Sequence, residues 1–136
     1  AAALGDLPAP NSVLGDMIWM SPDELMVLCA DDDRDATLKR LQAAMANTHH
    51  LIVDVTDARA VFDLQGSAGK EVVSKLTPTD VMPLAAGDFR RTRIGQVAGA
   101  FWMVSDTQAK IICFQSVADY MELLLTDAAK VGAEVY

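Results

Sequence analysis

His49 and His50 are the only two histidines in the chain, and they are adjacent. Neighbours in an extended segment point to opposite faces, so this pair cannot readily share one metal ion. The two cysteines, Cys29 and Cys113, offer no C-x-x-C spacing to complete a zinc site. The histidines read instead as residues at the start of a strand. Gly66-Ser67-Ala68-Gly69-Lys70 follows an apolar run and opens a helical pattern, which is where phosphate-binding loops sit. A phosphate loop requires G-x-x-x-x-G-K-[ST]. Here Leu64 stands in place of the first glycine and Glu71 in place of the hydroxyl. The dinucleotide pattern G-x-G-x-x-G is also absent, and Gly66 reads as a tight strand-to-helix turn.

Asp54, Asp57, Asp63, Asp80 and Asp106 show no spacing that singles out a pair for acid–base work. Asp54 interrupts an apolar run. It is either a buried carboxylate held by hydrogen bonds or an outward-facing one, and the sequence leaves both readings open. Arg90, Arg91 and Arg93 form the one basic cluster of an acidic chain. Arg91 and Arg93 share a face if a strand has begun there. Guanidinium forks suit carboxylates, including those of a partner protein, and a solvated strand edge balanced by Asp88 is the plainer reading. Trp19 and Trp102 fall in strand patterns with no basic groove beside them, so they read as core or interface. Cys29 and Cys113 each lie in an apolar run and read as buried thiols. No catalytic, cofactor-binding or metal-binding residue is assigned.

The hydrophobic period switches repeatedly between strand and helix values. Met17–Met20 and Leu25–Cys29 read as strands around the turn residues 21–24, and Asp31–Asp35 leads a helix over Ala36–Asn47 with Leu38, Leu41 and Met45 on one face. Leu51–Val55 and Ala60–Leu64 read as a second hairpin, followed by a helix with Ser67 as its N-cap and Val72, Val73 and Leu76 inward. Thr92–Val104 and Ala109–Gln115 read as a third hairpin. Ser116 and Asp119 then open a last helix carrying Val117, Met121, Leu124, Leu125 and Ala128, with Gly132 as its C-cap. The predicted fold class is α+β: three hairpin–helix units, a ferredoxin-like split β-α-β arrangement, and an antiparallel or mixed sheet with helices packed on it. Residues 1–11 read as an extended arm and 12–136 as a single domain.

The 136 residues carry 11 Lys and Arg against 19 Asp and Glu, a formal net charge of −8, and 51% are hydrophobic. That balance excludes a disordered chain and argues against nucleic acid or an anionic membrane as partner. No run of about 18 apolar residues is present to span a membrane. No signal peptide is read, and Ala1 in place of Met points to residues before it. The expected location is the cytoplasm.

Several stretches in order resemble one family. These are Asp54-Val55-Thr56-Asp57-Ala58-Arg59, Leu64-Gln65-Gly66-Ser67-Ala68-Gly69, Leu76-Thr77-Pro78-Thr79-Asp80-Val81 with Gly87, Arg91-Thr92-Arg93-Ile94-Gly95-Gln96-Val97, and Ser116-Val117-Ala118-Asp119-Tyr120. Together, over roughly Ser12 to Asp127, they resemble the gamma subunit of heterotetrameric sarcosine oxidase. That family is similar in turn to the folate-binding domain of glycine-cleavage aminomethyltransferases. The resemblance implies a non-catalytic accessory subunit of a complex that oxidatively demethylates sarcosine to glycine. It implies no cofactor in this chain, with FAD, FMN, NAD, zinc and tetrahydrofolate handled by the rest of the complex. The implied partners are the alpha, beta and delta subunits, chiefly alpha. The folate enzymes carry adjacent acids in a G-x-x-D-D pattern, and Ala98 and Gly99 stand at those positions here. A stand-alone folate- or one-carbon-binding module is the alternative, with Asp54 or Asp80 facing the pterin. A third reading has the isolated chain form a homodimer through its partner-binding face.

Overall fold

A computed structural model describes residues 4–133. The chain divides into two compact units, 1–55 and 56–136. Among the described residues no helix is long and apolar enough to cross a membrane.

The first unit holds a three-stranded antiparallel sheet in the order β1 (Val13–Leu14), β2 (Met17–Ser21), β3 (Glu24–Val27). Alternation along β2 buries Ile18 and Met20 and leaves Met17 and Trp19 half-exposed. The turn after β2 is closed by the Ser21 hydroxyl, which donates to the Asp23 carboxylate at 2.6 Å. A 3₁₀ turn at Asp31–Asp33 leads into α1 (Arg34–Met45), which buries none of its residues. Leu38, Leu41 and Met45 on its apolar stripe stay half-buried. The two-stranded reading of 17–29 and the helix after the acidic run are both present. Leu51–Val55, expected as the first strand of the middle hairpin, forms no strand. Its residues are β-branched and apolar, but strand formation needs a neighbour to complete the ladder, and none pairs there.

The second unit is a four-stranded antiparallel sheet with two helices. Its strands are β4 (Arg59–Gln65), β5 (Phe89–Ile94), β6 (Val97–Ser105) and β7 (Gln108–Phe114), in spatial order β4-β7-β6-β5. Helices α2 (Gly69–Leu76) and α3 (Ala118–Ala128) complete it. This is the α+β class with an antiparallel sheet carrying helices. The wiring of the middle unit differs from the expected hairpin: β4 stands alone and pairs with β7, Arg59 opposite Phe114 through Gln65 opposite Gln108. Helix α2 joins β4 to β5 with two strands between them, so the split connection is there, but it joins antiparallel edge strands. The stretch 92–104, expected as one strand, is itself a hairpin that turns at Gly95-Gln96. Gly95 has φ +56, which lets the chain reverse between Ile94 and Val97.

Alternation sorts this sheet into two faces. Phe101, Met103, Ala109, Ile111 and Cys113 point to the helices and pack with Val73, Val81, Leu84, Ile94, Met121 and Leu125 in one core cluster. Two helix caps differ from expectation. Ser67 does not cap α2, whose N-cap position is Ala68 without a side-chain bond. The Ser116–Asp119 box is replaced by a 3₁₀ turn over Gln115–Val117, and Val117 takes the N-cap position. Gly132 lies beyond the end of α3. The Lys75 ammonium instead donates to the Ala128 and Ala133 carbonyls at 2.9 and 2.8 Å, a positive charge at the negative end of the helix.

A Cβ at Gly95 would lie 2.5 Å from the Tyr120 hydroxyl and 2.6 Å from Leu124 Cδ2. The same hydroxyl accepts the Gln96 N–H at 3.1 Å. Gly95→Ala therefore forces a side-chain L-residue into the left-handed region and displaces Tyr120. Urea denaturation is expected to show a loss of about 1–3 kcal/mol, while Tyr120→Phe, which removes only the hydrogen bond, loses about 0.5–1.5 kcal/mol.

Candidate functional site

The stretches that carry the family resemblance act as fasteners of the second unit. At the Gly66 turn, where φ is +143, the Gly66 N–H donates to the Thr107 carbonyl at 2.8 Å and the Gly69 N–H to the Gly66 carbonyl at 3.0 Å. Lys70 donates to the Asp106 carboxylate at 2.9 Å. The ammonium that a phosphate loop would aim at its ligand is thus turned to the β6–β7 connection. In Thr77-Pro78-Thr79-Asp80-Val81, the Thr77 and Thr92 hydroxyls lie 3.1 Å apart and the Thr79 N–H donates to Thr77 Oγ1 at 3.3 Å. Val81 is fully buried while Asp80 is exposed. The Gly87 N–H donates to the Met103 carbonyl at 2.8 Å, and the Asp88 carboxylate accepts the Ala85 N–H at 2.8 Å. These contacts lace the long irregular stretch between α2 and β5 to the sheet.

Other residues weighed for chemistry stand apart from one another. His49 and His50 are exposed, and His50 Nδ1 lies 2.7 Å from the Thr48 carbonyl. Asp54 is exposed and ion-paired with Arg34, which settles its orientation. Cys113 is buried, and burial raises its thiol pKa. Cys29 was expected to be buried too, but it lies two residues past the end of β3 and is exposed. It borders a shallow open cleft of about 370 Å³ lined by Asp16, Asp33, Thr37 and Arg40, across which Arg40 pairs with Asp16 at 3.3 Å. Trp102 is buried and Trp19 half-buried. Among the described residues no three His, Cys, Asp or Glu side chains come together as a metal-ligand set.

Ala98 and Gly99 occupy opposite faces of β6. Ala98 is exposed on the face away from the helices. A Cβ at Gly99 would sit 3.0 Å from the Ile112 carbonyl oxygen and 3.2 Å from Ile94 Cδ1. A carboxylate there would meet both a packed side chain and a like partial charge.

The register gathers cations that sequence spacing alone does not bring together. Arg59 faces Phe114, its guanidinium carbon 3.9 Å from the ring centroid, and Arg93 faces Ala98 across the β5–β6 ladder. Arg91 and Arg93 do share a face, as the alternation requires, and both are exposed. On the same face Asp63 accepts from Gln108 at 2.9 and 3.0 Å and from Gln65 at 3.0 Å. These amides, Gln108 foremost, hold its pKa below the ordinary aspartate value of 3.8.

Among the described residues, two antiparallel sheets and three α-helices place the chain in the α+β class. The chain belongs to the family described as sarcosine oxidase, gamma subunit, whose model matches residues 7–131. It is similar to the sarcosine oxidase subunit gamma of Corynebacterium sp. (strain U-96), with 29% identity over 137 residues. That match takes in 94% of this chain and spans 66% of the length of the curated relative. Among solved structures it is similar to a chain of the heterotetrameric sarcosine oxidase from Corynebacterium sp. U-96 in complex with pyrrole 2-carboxylate. The TM-score there is 0.81 at 26% identity, over 96% of this chain and 73% of that one.

Gly99→Asp is expected to cost about 1–3 kcal/mol in urea denaturation, with no tetrahydrofolate binding gained by isothermal calorimetry. The Asp63 carboxyl, followed by NMR, is expected to titrate below ordinary aspartate and to move up in Gln108→Ala. Because its folded pKa is depressed, the stability it contributes is present above the unfolded value and is lost as pH falls through the folded one. Removing Gln108 should therefore flatten the acid limb of the stability profile.

Proposed function

We propose that this chain is a non-catalytic accessory subunit of a cytoplasmic, hetero-oligomeric sarcosine oxidase that converts sarcosine to glycine by oxidative demethylation. Its partners are the alpha, beta and delta subunits, with alpha the principal contact. FAD, FMN, NAD and zinc are held by those chains, which also pass the one-carbon unit to tetrahydrofolate. The residues described here do not fit a zinc site, since their His, Cys, Asp and Glu side chains do not converge.

The observation that carries this reading, beside family membership, is uncovered apolar surface. Leu51, Val53 and Val55 recur at every second residue of a segment without helix or strand and stand 87%, 58% and 37% exposed. Large apolar side chains grouped together and left wet mark sites of association.

Co-expression of the tagged chain with the neighbouring genes of its source tests the reading. The expected result is a yellow complex of four different chains that oxidises sarcosine. A lone colourless chain that binds tetrahydrofolate would contradict it. Leu51→Ser/Val53→Ser is expected to lower the recovery of that complex several-fold with little change in the chain's own unfolding midpoint, since both side chains are already in water.

A further inference from the structure

The sheet face of the second unit turned away from α2 and α3 carries a row of residues assembled from all four strands. Arg59 of β4 lies opposite Phe114 of β7. One step beyond the Gly99–Cys113 pairing, Phe114 lies beside Ala98 of β6, and Ala98 lies opposite Arg93 of β5. The row thus reads Arg59, Phe114, Ala98, Arg93. Phe114 is 49% exposed, Ala98 and Arg93 are exposed, and Val61 behind Phe114 is 45% exposed. Beyond this row Ile112, Ala100, Trp102 and Phe89 of the same face are buried, so the apolar surface left exposed is confined to Phe114, Ala98 and Val61.

The charges in this row are uncompensated. Among the described residues neither Arg59 nor Arg93 has an ion pair. Arg59 is held only over the Phe114 ring, and its buried Nε atom has no hydrogen-bond partner. The one acid of this face named above, Asp63, is engaged by two glutamine amides. In a chain of net charge −8, two arginines without carboxylates, flanking an aromatic ring and an alanine, form a local cationic strip with an apolar centre.

We propose that this strip is a docking surface for an acidic segment of another subunit of the complex, which rests on the accessory-subunit reading above. The chemistry specifies the segment: it is acidic, its carboxylates received by the guanidinium fork of Arg59, which lies over the Phe114 ring, and by that of Arg93. A second copy of this chain is disfavoured. Each copy brings −8 to the encounter, and that like charge opposes self-association.

The test uses the assembled complex. Complex lacking this chain is titrated with the separately purified chain as wild type, as Arg59→Glu/Arg93→Glu, and as Lys39→Glu, an exposed reversal on α1. Wild type is expected to bind with an affinity that falls as salt rises, Lys39→Glu to bind like wild type, and the double reversal to bind at least about tenfold more weakly. Arg93→Glu alone, on an exposed edge position, keeps the test valid if the double variant unfolds. It should weaken binding about tenfold at an unchanged unfolding midpoint. Wild-type-like binding by a folded reversal variant would overturn the docking surface and leave the subunit reading standing. Failure of the wild-type chain to join the complex would overturn both. A homodimer of the wild-type chain that Arg93→Glu dissolves would show the occupant to be a second copy and contradict the proposal.

Discussion

Everything in the second unit depends on the pairing of β4 with β7. It is the longest-range pairing in the sheet: Arg59 meets Phe114 and Gln65 meets Gln108. Side-chain direction alternates with period two, so a slip of one residue would send every β4 side chain to the other face. In the observed register Ala60, Phe62 and Leu64 pack against the core cluster under the helices. Arg59, Val61 and Asp63 are thereby committed to the opposite face. The hydrophobic demand of one face therefore fixes the electrostatics of the other, and the cationic strip is a consequence of core packing.

The same economy explains the stretches that resemble the family. The Gly66 turn, the Thr77–Val81 segment, Gly87 and the Gly95 turn each supply either a backbone conformation or a hydrogen bond that closes a connection. None aims a free polar group at a shared point. At β6, glycine at 99 lets the Ile112 backbone and Ile94 approach closely. That close approach and a carboxylate are mutually exclusive there without movement of the neighbours.

Local patterns made much of this legible. The β2–β3 hairpin, the helix after the acidic run, β7 and the last helix all have a clear period and turn residues at their ends. What escaped was decided by distant residues. Leu51–Val55 has strong strand character, yet no neighbour completes its ladder. The turn at Gly95-Gln96 divides a stretch read as one strand, and the positive φ of Gly95 makes the reversal. Capping was misplaced at α2 and α3 because a 3₁₀ turn or a bare backbone serves where a hydroxyl was expected. Arg91 and Arg93 could be placed on one face from alternation, whereas Arg59 could join them only through the β4–β7 register, which sequence spacing does not encode. Cys29 closes an apolar run whose strand ends two residues earlier, at Val27, which leaves the thiol exposed.

The central claim is that this chain works through surfaces that other subunits cover. Hydrogen–deuterium exchange of the chain, alone and within its purified complex, addresses it most directly. Slower exchange in the complex is expected in peptides spanning 49–61 and 89–94, with the already protected core strands β6 and β7 unchanged. Superimposable exchange over both segments in the two states would contradict the account.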